Sequence, residues 1–380
     1  MSEPSHLLTE HRNNFDLVRL FAAAQVLVVH VVSFIPGMHD TLVLNALSLF
    51  PGVPIFFFIS GYLISGSWLR HPEPAAYAAG RMLRIFPALW VSGLFTLALL
   101  MLFYGGPLAD NAGTAAMWLL MQNSFLQSWN PAFLRGYGTG VANPVLWTIP
   151  VELAFYIALP LLCIVGQRLG RLRTVLVVAG LVSFAIFHFV IDGLDRSEPR
   201  ELLLRKVLTQ SPASFVTWMW MFLLGALAQL ERVRLLRLVS GRFALFGALA
   251  LVVGGLSLAV NLPPFLHLPG NEVGLVNALA TSAASLSFAY SYPGLSQRLL
   301  GGRDLSYGLY LFHMPIANAL VAIGLVGAAG AAITIVGAFA CAFLSWTLIE
   351  RRALAHKQRF QLYLSRRFGP RVNNKEGAAA

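Results

Sequence analysis

The chain has 380 residues, 57% of them hydrophobic and only 11% charged, with a formal net charge of +11. Soluble domains carry about 25% charged residues, so a soluble globular protein is excluded and lipid has to be treated as the solvent. The basic residues fall in short segments between apolar runs, which points to membrane topology rather than to a nucleic-acid partner.

Ten apolar runs long enough to span a bilayer are predicted: 15–35, 48–69, 86–104, 146–166, 173–191, 212–230, 243–260, 273–290, 305–325 and 330–349. The fold class expected is all-α, a polytopic membrane bundle of about ten transmembrane helices. One domain, 1–352, would hold the bundle, and 353–380 would form a basic cytoplasmic tail. With the N-terminus inside, all of the 27 Lys and Arg except Arg135, Arg196, Arg200, Arg205 and Lys206 fall on the cytoplasmic side. The positive-inside rule therefore places both termini in the cytoplasm. No cleavable signal peptide is visible at the start. Two outer stretches are long, 105–145 and 192–211. The first contains "AAMWLLMQNSFLQSW", which reads as a helix at the membrane interface. Cys163 and Cys341 lie in apolar runs as packing residues, and no zinc spacing occurs.

Ionisable groups inside spans are costly, so they mark function by default. In "FDLVRLFAAAQVLVVHVVSF" (15–34), Arg19 and His30 stand eleven residues apart. That is about three turns, so both share one helix face about 16 Å apart along the axis. Asp16 can pair with Arg19 at i,i+3. In "FPGVPIFFFISGYLISG" (50–66), Ser60–Gly61 permits close helix contact. "YAAGRMLRIFPALW" (77–90) puts Arg81 and Arg84 on one face of a cytoplasmic loop directly before a span, where two guanidiniums could clamp phosphates. "NPVLWTIPVELAFYIALP" (143–160) carries Trp147, Thr148 and Glu152, and Glu152 is predicted at the depth of His30, as its orienting partner. "LSYGLYLFHMPI" (305–316) supplies Ser306, Tyr307, Tyr310 and His313, and "TLIERRAL" (347–354) ends the last span with Glu350. His188 stands in no motif and reads as structural.

Taken in order, these blocks resemble the membrane acyltransferase-3 family: Asp16-x-x-Arg19-x10-His30, "GVPIFFFISGYLI", Arg81-x-x-Arg84, Trp147-Thr148-x-x-x-Glu152, "SYGLYLFHMP", and Glu350-Arg351. They run from residue 16 to 351. The short basic tail looks like the family's stand-alone form, without the SGNH-type domain that some relatives carry. The resemblance implies transfer of an acyl group, acetyl before others, from cytoplasmic acyl-CoA to a carbohydrate on the outer face of a bacterial inner membrane. It implies no metal and a lipid surround. Arg19, Arg81 and Arg84 would hold the donor. His30 would act as general base or carry the acyl group briefly, with Glu152 beside it. Asp16, Trp147, Thr148, Ser306, Tyr307, Tyr310, His313 and Glu350 would support the site.

Two rival classes remain at this level. A secondary transporter or flippase would also use intramembrane His and Glu, but it often shows inverted repeats, and none is found. A purely structural protein leaves Arg19 and His30 unexplained.

Overall fold

A computed structural model describes residues 13–127, 129–195, 197–260 and 271–368. Arg196 and residues 369–380 of the expected tail lie outside the described residues. The chain opens with α1 (Phe15–Phe34), α2 (Thr41–Ser48), α3 (Gly52–Arg70) and α4 (Pro74–Phe103). Next come α5 (Ala112–Gln122), two 3-10 turns (Ala132–Gly136 and Pro144–Trp147), α6 (Thr148–Arg168) and α7 (Leu172–His188). The middle holds α8 (Pro199–Gln210), α9 (Phe215–Leu230), α10 (Arg232–Val239), α11 (Phe243–Ala259) and α12 (Leu275–Ser291). The last part contains α13 (Leu295–Leu300), α14 (Ser306–Ala322), α15 (Gly327–Ser345), α16 (Arg351–Ala355) and α17 (Lys357–Phe368). No strand occurs among the described residues.

Among the described residues, seven helical stretches are long and apolar enough to cross a membrane, and α10 with α11, bent by 91°, makes an eighth if the pair is one span. The expected ten are not reached. Every predicted range does hold a helix, but α12 and α14 have only 17 residues each. That length is about 26 Å, short of the roughly 30 Å hydrocarbon core. The reason is visible for α14. Its residues from Gly308 to Pro315 are all buried, so that stretch is enclosed by neighbouring helices rather than by lipid. Elsewhere aliphatic side chains such as Leu181, Leu249, Val252 and Val336 face outward, as lipid requires of a multi-pass membrane protein.

The centre of the bundle is α9, buried without interruption from Thr217 to Leu223 and flanked by α3 and α7. Its contact with α3 is backbone against backbone. A Cβ on Gly61 would stand 1.8 Å from the Phe222 carbonyl oxygen, and one on Gly225 would stand 2.0 Å from that of Phe58. Only glycine permits this approach, which bears out the small-residue reading of Ser60–Gly61.

Two prolines shape the interior. Proline lacks an N–H and frees the carbonyl four residues earlier. Pro160 frees that of Tyr156, which accepts the Tyr77 hydroxyl at 3.0 Å. Pro315 frees that of Leu311, which accepts from the Asn143 amide at 3.0 Å and the Ser92 hydroxyl at 3.4 Å. The second contact draws the segment before α6 into the bundle. There Leu134, Tyr137, Ala142, Val145 and Leu146 are buried, so the end of the predicted outer stretch 105–145 is anchored in the interior, while most of its other residues are exposed or half-buried. The predicted helix within it is α5. In the other outer stretch, Arg205 is buried and donates to the carbonyls of Val190 (2.6 Å) and Ile191 (2.7 Å) and to Glu272 (2.6 Å).

Candidate active site

The face of α1 that carries Arg19 and His30 packs along α14. Arg19 Nη1 donates to Asp304 Oδ2, just ahead of α14, at 3.3 Å. His30 Nδ1 meets His313 Nε2, within α14, at 2.9 Å. The eleven-residue spacing therefore delivers both groups to one neighbour, as the helical period requires.

At the Arg19 end lies a charge cluster. Asp304 Oδ2 accepts Arg84 Nη2 at 2.5 Å as well as Arg19. Its Oδ1 accepts the backbone N–H and hydroxyl of Ser306 at 3.1 and 2.5 Å, forming a tight side-chain turn just ahead of α14. Burial pushes the Asp304 carboxyl up, but the Arg84 and Arg19 guanidiniums beside it more than offset this and hold it below the usual carboxylate range. Arg84 Nη1 also reaches Glu350 Oε2 at 3.4 Å. Glu350 is turned inward by a single π-helical turn, Trp346–Glu350, and accepts the Ser345 hydroxyl at 2.8 Å. Asp16, the partner expected for Arg19, stands at 4.0 Å.

Beside this cluster opens a cavity of about 370 Å³, walled by Asp16, Arg19, Arg81, Arg84, Thr148, Glu152, Asp304, Ser306, Tyr307, Tyr310 and Lys357, with Phe56, Phe57 and Tyr156 among its rings. Two of its cations make no ion pair among the described residues. Arg81 lies over the Tyr156 ring, 5.7 Å from its centroid, with its buried Nε lacking a hydrogen-bond partner. Lys357 is exposed at the start of α17, which lies along the first turns of α4 and is tied there by Gln361 to Glu73 at 3.1 Å. Lys357, expected within a basic tail, thus forms part of the cavity's rim.

Glu152 also faces this cavity. It accepts the Ser60 hydroxyl at 3.1 Å and the hydroxyl of Tyr156. The predicted pairing with His30 is not what the structure shows, because His30 faces His313 instead. The cause is the inward fold of residues 130–147. Thr148, at the start of α6, already meets the Tyr310 hydroxyl at 2.8 Å, so Glu152, one turn later, lies toward the charge cluster rather than toward His313. Gly138 makes that fold possible. Its φ is +55°, and a Cβ there would stand 2.4 Å from Asn318 Oδ1. Asn318 in turn accepts the Thr139 N–H at 2.7 Å and donates to the carbonyls of Val141 and Ala142 at 3.0 and 3.1 Å.

His313 is fully buried and His30 half-buried. The Tyr310 ring, 6.2 Å from that of His313 and 6.1 Å from that of Phe56, stands between the cavity and the imidazole pair. His313 Nδ1 lies 3.0 Å from the Leu309 carbonyl oxygen. Trp147 packs on Trp218 at 5.6 Å, outside the cavity wall.

Asp304, Lys357 and the donor role of Ser60 were not foreseen. Asp304 had a signal: it stands two residues before Ser306 at a helix start, in a chain whose intramembrane arginines need counter-ions. No group of three or more His, Cys, Asp or Glu able to hold a metal occurs among the described residues.

The acyltransferase domain family matches residues 12–350. Nodulation protein 10 of Rhizobium leguminosarum bv. viciae is 35% identical over 368 residues, covering 90% of this chain and 94% of that protein. An O-acetyl transferase of Shigella phage Sf6 is 29% identical over 193 residues, covering 49% of this chain and 56% of that protein. No solved structure matches. With the family running from residue 12 to 350 of a helical membrane bundle, the chain belongs to the acyltransferase-3 family and is a membrane acyltransferase.

Proposed function

We propose that this protein is an O-acyltransferase of a bacterial inner membrane, with both termini cytoplasmic. It takes an acyl group from acyl-CoA on the cytoplasmic side and passes it to a hydroxyl of a surface polysaccharide or its lipid-linked precursor on the outer side. Acetyl is the group assigned, in keeping with the phage relative named O-acetyl transferase. The observation that carries the reading is the single face of α1 on α14. It joins a cation-rimmed cavity at one end to a histidine pair at the other.

The donor's phosphates meet Arg81 and Lys357, whose charges are not taken up by carboxylates. Arg84 and Arg19, held by Asp304 and Glu350, shape the wall through which the donor's arm passes. Glu152, hydrogen-bonded to Ser60 and Tyr156, lines the same passage. His30 takes the proton of the acceptor hydroxyl as the oxygen attacks the thioester carbonyl. The new C–O bond forms, the C–S bond breaks, and the proton passes from His30 to the leaving sulfur. A positioned general base contributes roughly 10²–10⁴ in rate.

The test is transfer from labelled acyl-CoA to a glycan acceptor by the purified protein, beside a donor-binding measurement. His30→Ala is expected to lose transfer by at least about 10² while binding donor normally. Near-normal turnover by His30→Ala would overturn the assignment. The mass lost from surface glycans on removing the gene identifies the acyl group and the acceptor together.

A further inference from the structure

We infer that His313 sets the proton positions on His30 and thereby leaves His30 Nε2 as the basic nitrogen. The inference rests on the reading of His30 as the base. It follows from counting donors along three groups in contact.

A backbone carbonyl can only accept, so the contact of 3.0 Å between His313 Nδ1 and the Leu309 oxygen puts a hydrogen on Nδ1. A neutral imidazole carries one N–H, so His313 Nε2 has a lone pair. The 2.9 Å approach of His30 Nδ1 to that nitrogen is a hydrogen bond only if His30 donates. Nδ1–H on His30 then leaves its lone pair on Nε2. With both rings neutral, no other proton placement satisfies both contacts. A charged His313 would donate from both nitrogens and force His30 into the opposite tautomer, and it would place a cation on a side chain that is fully buried.

The chain of bonds begins inside one helix. Leu309 is four residues before His313, so the tautomer of His313 is fixed by α14's own backbone. The next turn is held in turn by Asn143 on the Leu311 carbonyl that Pro315 frees. His30 inherits this order across the helix contact. During transfer, Nε2 takes the acceptor's proton and His30 becomes an imidazolium. Its Nδ1–H then bonds to the neutral His313 Nε2 as a charge-assisted donor, stronger than before and with no heavy atom moved. When the proton leaves for the thiolate, both rings return to their starting state. His313 is thus a positioning residue that stabilises the developing charge on His30 without a carboxylate.

The experiment reads the tautomers directly. The full-length protein is labelled with ¹⁵N-histidine, and the His30 and His313 signals are assigned by loss in His30→Ala and His313→Phe. Two-bond ¹⁵N–¹H correlations are expected to show Nδ1–H on both rings in the wild type. His313→Phe keeps the ring volume but removes the acceptor. His30 is expected to populate both tautomers there, and kcat to fall roughly 10–100-fold with KM for acyl-CoA unchanged. His313→Gln, whose carbonyl can accept from His30, is expected to keep Nδ1–H on His30 and most of the activity. Nε2–H on His30 in the wild type overturns the inference, as does wild-type kcat with an undisturbed His30 signal in His313→Phe. If His313→Phe does not fold, the wild-type spectrum and His313→Gln still decide. An active His30→Ala would instead sink the assignment of His30 as base and leave the tautomer measurement standing.

Discussion

Two arginines one turn apart are given different work by their neighbours. Arg84 neutralises Asp304 and Glu350, both nearly devoid of solvent contact, whereas Arg81 lies on a tyrosine ring with a buried Nε that finds no acceptor. Removing one member of a buried ion pair strands the other charge. Arg84→Ala is therefore expected to cost about 3 kcal/mol or more of stability, read as a lowered unfolding midpoint in detergent. Arg81→Ala should leave that midpoint in place and weaken acyl-CoA binding, with Arg81→Lys restoring only part because it lacks the planar fork. Equal effects of the two alanine variants on both readouts would contradict this division. Asp304 adds a pH dependence. Its carboxyl is held below the ordinary range, so its contribution is present at neutral pH and is lost as pH falls through its lowered value. The sequence exposed the arginines because their spacing is local. It did not expose the division of roles, because Asp304 and Glu350 are 220 and 266 residues away from Arg84.

Among the helices, periodicity was legible and depth was not. The shared face of Arg19 and His30 on α1 followed from eleven steps of one regular helix, and the structure places both against the α14 segment. Glu152 was misplaced because the chain before α6 turns inward through 3-10 segments that carry no repeat to read. The expected count of about ten spans is matched by seven or eight helical stretches among the described residues, because α12 and α14, at 17 residues each, fall just short of the length that marks the others. The α3–α9 contact is the clearest element-scale test. Gly61→Ala puts a methyl group into the Phe222 carbonyl and must part the two helices. Overpacking of this kind costs about 1–3 kcal/mol. The shift also moves Ser60 away from Glu152, so both the unfolding midpoint and acyl transfer are expected to drop. An unchanged midpoint would mean that the helices can separate freely, against the close approach described above.

On the scale of the whole molecule, the bundle is closed by contacts between its ends. Asn14, ahead of α1, donates to the Tyr292 carbonyl at 2.6 Å and accepts from the Ser296 N–H at 2.8 Å. Arg19 and Arg84 are 285 and 220 residues ahead of the aspartate that neutralises them. A ribosome therefore delivers both guanidiniums to the membrane well before Asp304 exists, and the early helices must wait in an unfinished, charge-bearing state. The late arrival of α14 then acts as an inspection of the assembled chain. A protein cut short before residue 304 should be cleared by membrane proteases, and supplying the missing C-terminal helices as a second polypeptide should rescue it. Asp304→Asn in the full chain should shorten cellular lifetime in the same way, which a pulse-chase measurement would reveal.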